Sequence, residues 1–334
     1  MCEDIWETYP PSALDVWSRI RAGSAFFGPV LFAQSVPPAS IAQRLSPNTL
    51  FYVQWSGRSS LMDAEKKNHV LQLMEDPAMA PVWVMAAMHM QQGMKVPANP
   101  ATALSPTDVL SFLDNSATFG VAAVTDAPKP AGPDSVAPRF GSFLIYDGTG
   151  KASLIQKIRS RLASGNAGKG PAEMTKYDFG GTPVEVWTTG KNVSYSAQAG
   201  NYFLVSDQKE IIEDLIGRFR QPARPATSVT QLPGYAEMRK FIGSDSALEY
   251  FARIPDVSRW AGPRQDMKSM VQLADNLHLE KIQLFGGGIS FSGEATRFRG
   301  VVLGDTSPGG LFDLAGISSA AFQTQEVVNG SEAF

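Results

Sequence analysis

Apolar and polar positions change period repeatedly along this chain, and each change marks an element. Thr49 to Trp55 (TLFYVQW) is a short run dominated by β-branched and aromatic residues, which predicts a strand. From Ser60 to Glu75 the spacing becomes helical. Leu61, Ala64, Val70, Leu71 and Met74 share one face, and Ser60 and Asp63 stand at capping-box spacing. Pro81 predicts the start of a second helix that runs to about Gln92 and stops at Gly93. A short third helix is expected over Thr107–Asp114. Strands follow at Ala117–Val124 and Arg139–Asp147, separated by a Pro-rich loop, Asp126–Pro138.

The second part of the chain is denser in strands. After a helix over Lys151–Ser164, three strands are expected at Met174–Phe179, Pro183–Thr189 and Val193–Ala199, with a fourth at Tyr202–Val205. Gly180-Gly181, Gly190-Lys191 and Gly200-Asn201 are the turns. Connections this short force antiparallel neighbours. Asp207 and Glu210 have capping-box spacing at the head of a helix whose Ile211, Ile212, Leu215, Ile216 and Phe219 form an apolar stripe. Gln221–Thr227 (QPARPAT) suggests a linker. Beyond it come a helix at Tyr235–Phe241, a strand at Ala247–Ile254, and a helical stretch Asp256–Asn276 broken near Pro263. The last strands are expected at Leu279–Phe285, Ile289–Glu294 and Phe298–Leu303, with Gly286-Gly287-Gly288 as a bulged hairpin turn.

These elements describe an α+β fold of antiparallel β-meanders with helices packed on one face. A weak repeat suggests two similar lobes and an incomplete internal duplication. Ser46–Val53 matches Ser244–Phe251, with Leu50 against Leu248 and Tyr52 against Tyr250. Arg139-Phe140 matches Arg297-Phe298. The first copy then carries an extra Met-rich segment, Pro81–Ser105, and the second ends early, with Phe322–Phe334 standing for the first strands of the Met174–Val205 meander. The expected divisions are residues 1–33, 34–220 for the first lobe and 228–334 for the second.

Several stretches resemble a bacterial family of unknown function, domain-of-unknown-function family 3352. Ser46-Pro-Asn-Thr-Leu-Phe-Tyr-Val is similar to its opening strand, which a Lys-rich amphipathic helix follows. Pro183–Val205, leading into Ser206-Asp207-Gln-Lys-Glu-Ile-Ile, is similar to its central meander and helix. Leu232-Pro-Gly-Tyr and Leu248–Arg253 are similar to its second-half strand. The resemblance covers most of the chain after Ser46. It implies an exported or membrane-tethered envelope protein, and it brings no catalytic residue to this chain.

Composition narrows the function classes. Of 334 residues, 43% are hydrophobic and 18% charged, enough apolar material for real cores. The net charge of −3 offers no footprint for nucleic acid. No run of apolar residues is long enough for a transmembrane helix. Arg19 and Arg21 precede the apolar stretch Ala22–Ala33, and Gln34, Ser35 and a Pro-rich segment follow. That is a secretory signal pattern with its cut expected after Ala33 and an unusually long leading region. Export to the periplasm, or elsewhere in the envelope, follows from it. Cys2, the single cysteine, lies in the segment expected to be removed, which leaves neither a disulfide within the chain nor a cysteine zinc site.

Candidate chemistry is sparse. His69, His89 and His278 are scattered, and only His278 and Glu280 alternate on one strand, fewer than the three or four ligands zinc takes. No G-x-S-x-G elbow occurs, and Ser142 after Gly141 continues a strand. Gly165-Asn-Ala-Gly-Lys-Gly170 lacks the spacing and the hydroxyl residue of a phosphate loop. The Met-rich run Met74–Met94, with Trp83, Met85 and Met88 at near-helical spacing, suits core packing or an adaptable apolar face. Trp55, Trp187 and Trp260 suit core positions or a groove. No catalytic, cofactor or metal residue is assigned, and no cofactor is expected. The leading expectation is a non-enzymatic binding or structural component of the bacterial cell envelope, partnered by an envelope protein or an apolar ligand. The alternatives are a hydrolase with a scattered site and a carrier of a small apolar ligand held between the lobes.

Overall fold

The computed structural model describes residues 40–61, 68–82, 84–85, 105–124, 139–164, 172–221, 227–244, 246–261, 281–292 and 295–304. The expected signal segment 1–33 and the expected strands within Phe322–Phe334 lie outside them. From Ser40 onward the chain forms one compact unit. Its strands are β1 (Thr49–Trp55), β2 (Ala117–Ala123), β3 (Phe140–Asp147), β4 (Glu173–Phe179), β5 (Thr182–Thr189), β6 (Asn192–Ala199), β7 (Tyr202–Ser206), β8 (Leu248–Arg253), β9 (Ile282–Ser292) and β10 (Ala295–Gly304). They make a single sheet in the order β10-β9-β8-β1-β2-β3-β7-β6-β5-β4, antiparallel throughout. The helices are α1 (His69–Glu75), α2 (Pro106–Leu113), α3 (Ala152–Ser164), α4 (Lys209–Arg220), α5 (Tyr235–Ile242) and α6 (Ile254–Ala261).

The α+β class expected from the strand and helix periods is the class observed. The two expected lobes share one sheet, because β1 pairs directly with β8 across the position of the linker. The helices, expected on one face, cover both. In β3 the neighbouring residues Ile145 and Tyr146 point to opposite sides. Ile145 joins the larger core, with Ile211, Ile212, Leu215 and Ile216 of α4 and Met238 and Ile242 of α5. Tyr146 joins a second core, with Leu154 and Ile155 of α3. We call the α4–α5 side the inner face and the other the outer face. Alternation in β3 fills both faces with apolar side chains, so a helix is needed on each.

The meander turns follow the glycine pattern. Gly180 and Gly181 adopt φ of 59° and 82°, the left-handed conformation of a two-residue hairpin, between the paired residues Phe179 and Thr182. The glycine run at 286–288 is not a turn. It sits inside β9, where Gly286, Gly287 and Gly288 pair with Phe251, Tyr250 and Glu249 on one side and with Val301, Gly300 and Arg299 on the other. A Cβ on Gly286 would stand 2.2 Å from the Met238 sulfur, and one on Gly287 2.3 Å from the Tyr250 hydroxyl. Side chains from α5 and β8 therefore occupy the space these residues leave open on the two faces.

Two helix starts differ from the expected capping boxes. Asp63 lies outside the described residues, and α1 begins instead on Asn68, whose Oδ1 accepts from the amides of Val70 (3.0 Å) and Leu71 (3.3 Å). The Asn68 Nδ2 also donates to the Ala295 carbonyl at 3.1 Å, which ties the helix to β10. At α4 the N-cap is Gln208, and its amide donates to Ser206 Oγ at 3.1 Å. Asp207 reaches sideways to β3. Its Oδ1 accepts from the Ser142 amide and its Oδ2 from the Ser142 hydroxyl, both at 2.9 Å. Asp207→Ala is thus expected to lower stability by about 1 kcal/mol through the lost β3 link and not through a lost cap. Ser142→Ala added to it should cost little more, because the hydroxyl partner is already gone. Urea midpoints of the two single variants and the double variant test this, and additive losses would refute the shared bond. A helix start that sequence spacing did not mark does have a capping box: Ser105 Oγ accepts from Asp108 N, and the Asp108 carboxylate accepts from Ser105 N at 2.8 Å.

Candidate functional site

Two clefts among the described residues lie along α4. A cleft of about 190 Å³ runs between α4 and the segment leading into β1, lined by Pro47, Asn48, Glu210, Asp214 and Arg218 among others. A second, of about 210 Å³, adjoins it at Asp214, Arg218 and Thr227 and reaches Arg44. Their charged groups are paired within the protein. Arg218 Nε binds Asp214 Oδ2 at 2.7 Å, and Arg139 lies 3.3 Å from Glu210. Arg44 Nη1 donates to the carbonyls of Arg218 and Gln221, both at 2.9 Å, at the end of α4, where a helix favours a cation. These clefts are small and mixed in polarity, and they present no nucleophile beside a base.

A buried polar cluster lies under α5, at the middle of the sheet. Glu249 of β8 is 7% exposed. Its Oε1 accepts from the hydroxyls of Tyr52 and Tyr235, the latter at 3.1 Å, and its Oε2 accepts from Arg239. The two hydroxyls are themselves 3.2 Å apart. Burial first, and then the Glu249 charge, push the pKa of both tyrosines up, so each stays a hydrogen-bond donor at neutral pH. The cluster joins β1, β8 and α5, and none of its four residues lines either cleft. It is a structural clamp.

The third feature is the outer face of β9, β8, β1 and β2. Registers place Phe285, Ala252, Phe51 and Val121 in one row across it, and Gly287, Tyr250, Val53 and Phe119 in the next. No charged side chain interrupts these rows. Phe119 is 48% exposed, Phe285 41% and Val53 40%. The rings form two matching pairs, Phe51–Phe119 with centroids 6.1 Å apart and Tyr250–Phe285 at 5.3 Å. The pairs relate through the β1–β8 junction, where Tyr52 stands opposite Phe251. Counting outward from that junction sets Phe51 against Tyr250, Phe119 against Phe285, and Phe140 against Phe298. The repeat expected at Arg139-Phe140 and Arg297-Phe298 lies in this register. The match of Tyr52 with Tyr250 is out by one residue, because the pairing puts these two on opposite faces.

Other residues singled out in the sequence are not brought together. His69 opens α1, while His89, His278, Glu280 and the 165–170 loop lie outside the described residues. Among the described residues no group of three or more His, Cys, Asp and Glu side chains could hold a metal ion. Trp55 on β1 donates its Nε1 to the Leu113 carbonyl at 2.6 Å. Trp187 on β5 donates to Ser196 Oγ at 3.1 Å, and four strands separate β5 from β1. Trp83 and Met88 lie outside the description, while Met85 is 55% exposed on the helical stretch 84–85. Among the described residues no helix is long and apolar enough to cross a membrane.

No family model and no curated protein matches this chain. Among solved structures, crystal form I of TP0453 covers 84% of this chain and 84% of its own at 9% identity, with a TM-score of 0.36. A likeness at that level carries no argument about this protein.

Proposed function

We propose that this protein is a non-enzymatic binding component of the bacterial cell envelope that holds a protein partner on the outer face of its sheet. The observation that carries the reading is the uncharged apolar surface around Phe51, Val53, Phe119, Tyr250 and Phe285, with its partly exposed rings. A contiguous apolar patch of this kind marks an interaction surface, and aromatic residues are the usual anchors of such contacts. The clefts support neither alternative. They are too small and too mixed in polarity for an apolar carrier, and their charges are already paired. The envelope location rests on the signal pattern at Arg19–Ala33 and on the resemblance to family 3352.

Phe119→Ser with Phe285→Ser removes both exposed rings at little cost in folding, since neither side chain is buried. The intact protein is expected to retain a partner from envelope extracts of the native host. The double variant should lose it, and Lys191→Ser, in a distant hairpin turn, should keep it. Equal retention by all three proteins would end the proposal. N-terminal sequencing of the mature protein is expected to start at Gln34, and a cytosolic chain beginning near Met1 would remove the envelope location.

A further inference from the structure

The charge pairing along the second cleft engages only part of each guanidinium. Arg44 ends a short helical turn, Ile41–Arg44, and bonds through Nη1 alone, to the carbonyls of Arg218, Phe219 and Gln221. The Phe219 ring, 5.4 Å from the Arg44 Cζ, helps to hold it there. Arg218 directs Nε to both Asp214 oxygens, at 2.9 and 2.7 Å, and Nη1 to the Thr227 carbonyl at 2.7 Å. Among the described residues, Arg44 Nε and Nη2 and Arg218 Nη2 donate to no protein atom. The same bonds offset the negative groups nearby, the carbonyls at the end of α4 and the Asp214 carboxylate. The cleft lining therefore sets two guanidinium charges against one carboxylate.

Gly217 lines this cleft on α4, beside Asp214 and Arg218 on the same helical face. A Cβ on Gly217 would meet nothing within 4 Å, so packing does not require a glycine there. Glycine weakens a helix interior, and its effect here is to leave the cleft wall bare next to the arginines. A volume of about 210 Å³ suits a small anionic group and is below the size of most organic-ligand pockets. We infer that this cleft binds a phosphate monoester group, held between Arg44 and Arg218 and against Gly217. Unengaged guanidinium N–H groups match phosphate oxygens, and a dianion gains more from two arginines than a single carboxylate does. The Arg218 side chain is 20% exposed, so its attraction is screened less than that of an open surface charge. The group is the same whether a soluble ester or a lipid headgroup carries it.

Isothermal titration of the full chain at low salt tests this with glycerol phosphate, with acetate, and with vesicles containing phosphatidic acid. Saturable binding of one glycerol phosphate per chain assigns a soluble ester, and binding of the vesicles alone assigns a headgroup. Acetate is expected to bind at least about tenfold more weakly than the phosphate that binds. Gly217→Glu puts a carboxylate into the cleft without a clash at Cβ. It should keep the circular dichroism spectrum and urea midpoint of the parent and lose about tenfold or more in affinity. Arg44→Lys supplies a second variant. It keeps the charge and a donor for the α4 carbonyls but removes the fork, and it should weaken phosphate binding similarly. The Phe119→Ser, Phe285→Ser variant should bind phosphate like the parent, which separates this site from the proposed partner face. Binding of neither phosphate probe, acetate bound as tightly as phosphate, or unchanged affinity in Gly217→Glu and Arg44→Lys would each overturn the inference.

Discussion

Replacing Arg239 with Met is expected to lower the free energy of unfolding by about 3 kcal/mol. The Glu249 carboxylate is nearly enclosed and relies on Arg239 for its counter-charge, while Tyr52 and Tyr235 supply neutral donors. Removing the guanidinium leaves a buried charge without its cation, which costs far more than losing an exposed pair. Glu249→Leu added to Arg239→Met should recover most of the loss, because the uncompensated charge is then gone. Urea denaturation of the four proteins closes the cycle, and a double variant as unstable as the sum of the singles would refute the clamp. The tyrosines add a pH signature. Their folded pKa values lie above the ordinary 10.0. The stability they contribute is whole below the unfolded tyrosine pKa, and it is lost as pH rises from there toward the folded values. Stability should therefore fall on going about one unit above that pKa, and Tyr52→Phe should flatten the fall.

Much of the fold was legible because its signals are local. Glycine turns and alternating strands between 174 and 205 define a meander without reference to the rest of the chain. The stripe Ile211–Phe219 is the buried face of α4. What was not legible depends on distant partners. The glycines at 286–288 have the composition of a turn, and only the approach of Met238 from one side and Tyr250 from the other makes them strand residues. Asp207 has the spacing of a cap, yet Ser142, 65 positions away, takes its carboxylate. The outer face left one trace. Leu50, Phe51, Tyr52 and Val53 are apolar in succession, and such a run places apolar groups on both faces of a strand. That Phe119 and Phe285 join them is set by strand register, which spacing along the sequence does not show.

The glycines opposite the β1–β8 junction should respond unequally to the same substitution. Gly120 pairs with Tyr52 and Gly286 with Phe251, at matching positions on the two sides. A Cβ at Gly120 would lie 2.4 Å from Phe143 Cζ and 2.7 Å from the Phe51 carbonyl oxygen. Phe143 is 3% exposed and fixed in the larger core, and the Phe51 carbonyl belongs to the ladder, so neither can withdraw. Gly120→Ala is expected to cost about 2 to 3 kcal/mol, the range of overpacking in a rigid core. A Cβ at Gly286 would meet the Met238 sulfur at 2.2 Å and the Tyr250 carbonyl oxygen only at 3.1 Å. A methionine side chain bends on three rotatable bonds and can move aside, so Gly286→Ala should cost about 1 kcal/mol. Met238→Ala combined with Gly286→Ala should then cost less than the two changes summed, because the new methyl fills part of the space the sulfur leaves. Thermal or urea unfolding of the single and double variants measures this. Equal losses at the two glycines, or strict additivity with Met238→Ala, would show that something other than these close approaches keeps the positions free of a side chain.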